Sequence, residues 1–351
     1  MGTMTCKGCG IPKLFCWGNR WTDDGILESQ PIGMRRLIMM EQELMVGIFQ
    51  GLEERLGVSI EHIIFEAKRK DAVLYVSDLL PPLLGRFVRL APLRRFAYMV
   101  MIKQAALIGL GKAKMLEYEP GRRLVGRISP VYCKALFTGD VFGAFESIEG
   151  VKAKHTYGEI GDDLFFNIEP WEDAPEEERL EPEEGIVVPA TANYFRCDVC
   201  GLPREISFLR WEPEVGKIID SRTGEWVFIQ GIGALNAVYR ELEEELGEEI
   251  PHLVADLTWI YYQRMKDEHP QVFKDLNFIK VRGLGVPDSD NPTPSELKEG
   301  LNIRNGFNGP MLAGMVAAVM GGDYPKWSWE SSEEGVVKIT VEESSIGVYK
   351  D

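Results

Sequence analysis

No stretch of this chain stays apolar for the ~18 residues that a bilayer-spanning helix needs. The nearest approach, Phe96 to Gly111, is interrupted by Lys103 and Gln104. Histidine is scarce, with four in 351 residues. No Ser-His-Asp spacing, nucleophile elbow, phosphate-binding loop or HExxH is present, so the common signatures of hydrolases, NTPases and zinc peptidases are missing. Cysteine is also sparse. Six residues do not build a disulfide framework in a chain this long, and two CxxC pairs suit a reducing compartment. Cys6 and Cys9 come at once, leaving no room for a signal peptide, and a cytoplasmic location is expected.

Positive charge is in deficit as well. A net charge of −16 argues against a general nucleic-acid-binding surface, because phosphate contacts need clustered Lys and Arg. One region runs against this balance. No acid stands between Asp78 and Glu117, whereas Arg86, Arg89, Arg94, Arg95, Lys103, Lys112 and Lys114 all fall there. Such a stretch suits an anion site or a docking face, and a solvated helix face balanced by acids elsewhere explains it equally well.

What the sequence does hold is a repeat of itself. Cys6-Lys-Gly-Cys9-Gly10-Ile11-Pro12-Lys13 returns as Cys197-Asp-Val-Cys200-Gly201-Leu202-Pro203-Arg204. Arg20-Trp21 matches Arg210-Trp211, Glu28-Ser29 matches Asp220-Ser221, Leu52 to Gly57 matches Leu242 to Gly247, and Ile60-Glu-His62 matches Ile250-Pro-His252. Order is kept and the offset stays between 190 and 192 residues, which chance does not produce. From Glu169 to Glu184 there are nine acids, one Arg and three prolines, a composition that repels itself and cannot bury a core. The chain thus divides into a first copy at 1–168, an acidic linker at 169–185 and a second copy at 186–351.

Each copy reads as a knuckle, an extended segment and then helices, followed by strand, strand, helix, strand, strand. The first long helix is expected at Met34–Leu56 and again at Ala234–Leu246, each ending at a glycine suited to a left-handed cap. The closing strands and helix are expected at Lys112–Glu119, Arg122–Ile128, Tyr132–Ile148, Val151–Glu159 and Leu164–Ile168. In the second copy they fall at Asn277–Gly283, Gly300–Asn305, Pro310–Met320, Tyr324–Glu330 and Val336–Val341. Antiparallel strands beside helices make an α+β plan, two pseudo-symmetric copies of one mixed domain.

A CxxC turn offers two sulfurs to one ion, and the following glycine permits the tight backbone of a knuckle. Two such turns predict a four-thiolate zinc site from Cys6, Cys9, Cys197 and Cys200, stapling the copies together. An iron–sulfur cluster, a redox dithiol and unmetallated knuckles are the alternatives. Cys16 could add a ligand, but the second copy has Ser207 in its place. His62 and His252 occupy equivalent positions, where a hydrogen-bonded structural histidine is the commoner case.

The segment from Ile108-Gly-Leu-Gly111 through Glu119-Pro-Gly121 and Arg123, then Cys133, Gly139, Gly143, Phe145 and Gly150, resembles the 4-vinyl reductase domain. The resemblance covers residues 30–168 and, more loosely, 220–341. It implies a small-molecule-binding α/β fold, related in shape to trafficking-complex subunits and found in aromatic-sensing regulators and bacteriochlorophyll-synthesis accessory proteins. Sensor members carry a zinc site near the domain's end; here only Cys133 matches, and the later positions are His155, Gly158 and Leu164. That site is therefore expected to be absent.

The function expected is a non-catalytic accessory or sensor protein binding an aromatic or hydrophobic anion, with Arg94, Arg95 and His62 as candidate ligand contacts. Two alternatives stand beside it: a metal-dependent enzyme or enzyme subunit, and a scaffold that binds a protein partner. A homodimer is compatible with all three.

Overall fold

The computed structural model describes residues 4–30, 35–79, 91–173, 185–322, 325–332 and 334–342. Among them are ten α-helices and three antiparallel sheets, a mixed α+β architecture. Arg86, Arg89 and most of the acidic linker lie outside the described residues.

The sheet that organises the molecule has six strands drawn from both ends of the chain. Strands β1 (Asn19–Trp21), β2 (Leu27–Ser29) and β3 (Arg36–Glu41) form one half. β8 (Leu209–Glu212), β9 (Lys217–Asp220) and β10 (Trp226–Gly231) form the other, in the order β1-β2-β3-β10-β9-β8. The halves meet at β3 and β10, where Met39 is opposite Ile229 and Ile38 opposite Gln230. Because successive side chains alternate between faces, Ile38, Met40 and Phe228 enter the main core, whereas Met39, Val227 and Ile229 enter a smaller one beneath the knuckles. The shared sheet is therefore built from both halves of the chain.

Helices α2 (Gln42–Leu56) and α3 (Glu61–Leu79) follow β3, and α6 (Ile232–Leu246) and α7 (Ile250–Glu268) follow β10. Helix α4 (Ala91–Leu107) occurs only in the first half. There β4 (Gly111–Glu119), β5 (Arg123–Val131), α5 (Lys134–Glu149), β6 (Ala153–Ile160) and β7 (Asp163–Pro170) close the fold. The second half closes with α8 (Asn277–Val281), β11 (Val286–Pro287), α9 (Pro294–Glu299), β12 (Leu301–Arg304), α10 (Gly309–Met320), β13 (Lys326–Ser331) and β14 (Val336–Glu342). Both four-stranded sheets have the same strand order, β4-β5-β7-β6 and β11-β12-β14-β13.

Corresponding residues also make corresponding contacts. A Cβ at Gly139 of α5 would lie 2.8 Å from the Phe65 carbonyl and 3.1 Å from the Arg69 nitrogen of α3. One at Gly314 of α10 would crowd the Ala255 carbonyl and lie 3.0 Å from the Trp259 nitrogen of α7. The halves reach across to each other in the same way. The Trp21 indole donates to the Val281 carbonyl at 2.9 Å and the Trp211 indole to the Leu107 carbonyl at 3.0 Å. Met39 N–H donates to Arg282 O, and Ile229 N–H to Ile108 O.

Two expected elements are corrected. Residues 36–41, read as the start of a long helix, form the buried strand β3, and α2 begins only at Gln42. Residues 277–281, read as a strand, form the short helix α8, with Phe278, Ile279 and Val281 buried. The Arg282 and Ile108 carbonyls make like contacts, each accepting from the central strand of the other half. Gly57 adopts the left-handed cap (φ 69°, ψ 16°), whereas Gly247 has φ 105° and ψ 174° and leaves its helix extended.

Candidate metal centre

The two CxxC turns are small hairpins with matching hydrogen bonds. Cys6 N–H donates to the Ile11 carbonyl at 2.7 Å, and Cys197 N–H to the Leu202 carbonyl at 2.8 Å. Gly10 N–H closes the turn on Cys6 O, and Gly201 N–H does so on Cys197 O. Gly10 and Gly201 have φ of +77° and +76°, a conformation that a side chain disfavours, so CxxCG is a backbone requirement here. Each hairpin is anchored by a buried aliphatic residue, Ile11 or Leu202, set into the smaller core with Phe15, Trp21 and Ile206. The Arg196 guanidinium ties the second hairpin to the first half by donating to the Trp21 carbonyl at 3.0 Å.

This packing brings the hairpin tips together. Cys6 Sγ lies 3.9 Å from Cys197 Sγ and Cys9 Sγ lies 3.5 Å from Cys200 Sγ, across 191 residues of chain. All four sulfurs fall within 4.8 Å of one another. A zinc–sulfur bond of about 2.3 Å places tetrahedral ligands about 3.8 Å apart, so the donor set and its spacing fit one tetrahedral ion. All six cysteines are free, so no disulfide competes for these thiols.

Backbone amides are arranged for thiolates. Burial pushes the Cys6 thiol up, but the N–H groups of Gly8 and Cys9 and the neighbouring thiols outweigh it and leave Cys6 below its ordinary value. The N–H groups of Val199 and Cys200 bring Cys197 down to about 7. Burial pushes Cys9 and Cys200 up to about 12, against single amides from Ile11 and Leu202. Each knuckle thus carries one acidic thiol and one that keeps its proton until an ion displaces it.

The remaining candidates are dispersed. Cys16 stays outside the group of four; its thiol faces Ile11 O at 3.8 Å, and burial pushes it up to about 11. Cys133 is buried at the start of α5, where burial pushes its thiol up to about 12. Among the described residues the four-cysteine group is the one place where three or more metal-ligating side chains gather in this way. His62 and Arg95 are exposed. Arg94 points inward and pairs with Glu149, a carboxylate that also accepts from Tyr98 (3.1 Å), Tyr118 (2.9 Å) and Gly121 N–H (2.8 Å). No hydrogen bond or ion pair among the described residues joins His62 to either arginine.

Two features had no signal in the sequence. One is that Glu149 knot. The other is a buried charge cluster between α3 and α5, where Lys68 pairs with Asp140 at 2.9 Å and Asp71 at 3.5 Å, and Arg69 pairs with Glu146 at 3.0 Å. At the corresponding places the second half has Thr258 and Trp259. Comparison with protein-family models, curated proteins and solved structures gives no match to this chain. Among the described residues no helix is long and apolar enough to cross a membrane.

Proposed function

We propose that this chain is a tandem of two 4-vinyl-reductase-like copies, clasped by a single zinc ion, that binds a small molecule as a non-catalytic accessory or sensor protein. The observation that carries the reading is the convergence of two CxxC turns, one from each copy, into a compact group of four thiols. The common strand order of the two closing sheets supports duplication, as do the paired glycines Gly139 and Gly314 and the reciprocal bonds of Trp21 and Trp211. Zinc is supported over a cluster by the short sulfur separations, since a cluster sets several atoms between its ligands. Zinc bound here would be held by four thiolates. That coordination leaves no open position for substrate, so its contribution is to fasten the copies.

The ligand of this proposal is an aromatic or hydrophobic anion. An open cleft of about 430 Å³ between α6, the start of α10 and β14 offers a place for it, a volume within the range of small-molecule sites. Asn236, Tyr239, Arg240, Glu243 and Asn308 line it, so an aromatic ring, a guanidinium and amides share the cleft with a carboxylate.

Elemental analysis of the purified chain, with mass spectrometry of any retained small molecule, tests both parts. About one zinc per chain is expected; iron with a visible absorption band would replace the zinc assignment by an iron centre. Titration with aromatic carboxylates and acyl-CoA thioesters, followed by tryptophan fluorescence, should give a saturable change. A silent titration with nothing retained would remove the ligand-binding reading and leave the metal assignment to stand on its own result.

A further inference from the structure

Helix α4 is apolar on two sides. Its inward side packs Ala97, Met101 and Ala105 on the main core and carries Arg94 and Tyr98, one turn apart, both bound to the buried Glu149. Its outward side carries Leu93, Phe96, Met99 and Val100, which are 41%, 66%, 41% and 45% exposed. A surface helix ordinarily buries its apolar stripe and leaves arginine in water. Here a second apolar stripe faces outward although Ala97, Met101 and Ala105 already pack on the core, and the Glu149 knot fixes that orientation.

The cations around the stripe indicate what covers it. Arg95 and Lys103 are exposed on the same helix, and Lys112 and Lys114 are exposed on the adjoining start of β4, beside the half-exposed Leu116. No acid stands between Asp78 and Glu117; Lys112 has the exposed Glu214 at 4.0 Å, and Arg95, Lys103 and Lys114 carry the charge that favours an anionic occupant at contact range, where charges elsewhere are screened. Four side chains on one helix cover only a few hundred Å². A stable protein interface needs about 800 Å² per partner. Apolar side chains in the middle and Lys or Arg at the margins form the pattern by which a helix lies in a lipid interface, its apolar groups below the headgroups and its cations on the phosphates.

We propose that the outer face of α4, with the start of β4, docks this protein on an anionic lipid surface. The inference concerns a different face from the metal centre and goes beyond the ligand-binding reading. Co-sedimentation of the full chain with vesicles of phosphatidylcholine alone, and of phosphatidylcholine mixed with phosphatidylglycerol, tests it. Binding to the mixed vesicles, weak or no binding to the neutral ones, and loss of binding with added salt are expected. Each cation near an anionic surface contributes about a factor of five, so R95Q/K103Q should weaken binding about 25-fold. F96S/V100S should weaken it as well, and since these side chains are exposed, the thermal melt should stay that of the parent chain. Failure of the parent chain to bind the mixed vesicles would overturn the proposal, and so would variants that bind as it does. If light scattering instead shows a dimer that F96S/V100S dissociates, without vesicle binding, the face belongs to a second copy and the lipid assignment is wrong.

Discussion

A methyl group at Gly8 would stand 2.7 Å from the Sγ of Cys197 and 3.1 Å from the Cγ2 of Val199. The first knuckle thus has no room for a side chain where it meets the second. Gly8→Ala should push the hairpins apart, lower metal affinity and destabilise the fold by about 1–3 kcal/mol, the usual cost of overpacking. Val199, the residue opposite, is 65% exposed, and Val199→Ala should leave both properties near those of the parent. Competition with a chelator and thermal melting of the two variants would show the contrast; equal behaviour would mean that the knuckles tolerate separation.

Metal uptake should release protons. Cys9 and Cys200, both pushed up to about 12, are protonated in the metal-free protein at neutral pH and must ionise to bind. Affinity for zinc should therefore rise with pH and fall as the solution is acidified. Titration calorimetry in buffers of different ionisation enthalpy should report at least two protons released per ion near pH 7. A release close to zero would show that these thiols are not the ligands.

The glycines under α5 and α10 should behave as a pair. Gly139→Ala and Gly314→Ala each place a methyl against the backbone of the partnering helix, and each should cost about 1–3 kcal/mol. Chemical denaturation would check this. A large loss at one and none at the other would mean that the two helix pairs differ in closeness more than their contacts indicate.

His155 sets a pH dependence. It stacks on Phe65 with ring centroids 4.4 Å apart, and burial, aided by the Arg69 charge, holds its imidazole below the ordinary value of 6.5. The folded state thus favours the neutral ring, and the unfolded chain takes up the extra proton. The stabilisation from this residue is fully present above pH ~6.5 and declines as pH falls through that value toward the lower folded-state one. His155→Phe keeps a ring in the stack and should make the urea midpoint less sensitive to pH between about 7.5 and 5.5. An unchanged slope would move the acid sensitivity to other groups.

Much of the site could be read from the residues. The CxxCG spacing located all four converging thiols, because ligand chemistry and the turn glycine are both written locally. The regular alternation of Val337, Ile339 and Val341 marked β14 for the same reason. β3 was missed because Leu37-Ile-Met-Met40 is buried largely on both faces, so the run lacks alternation and merges with the helix that follows. α8 was missed because Phe278, Ile279 and Val281 make a short apolar run that fits a strand or a buried helix turn equally. The pairing of β3 with β10, and the inward turn of Arg94, depend on residues far away in the chain, and no local pattern encodes them.

The union of β3 with β10 has a consequence for the integrity of the molecule. Each half places its innermost strand against the other's, and each hangs a tryptophan on the other's main chain. Cleavage of the acidic stretch between them would cut one covalent thread and leave the particle whole. Neither fragment is self-sufficient, for each would expose the flank of its strand and half of the floor beneath the knuckles. The pairing of the two strands joins the halves whether or not that stretch is intact.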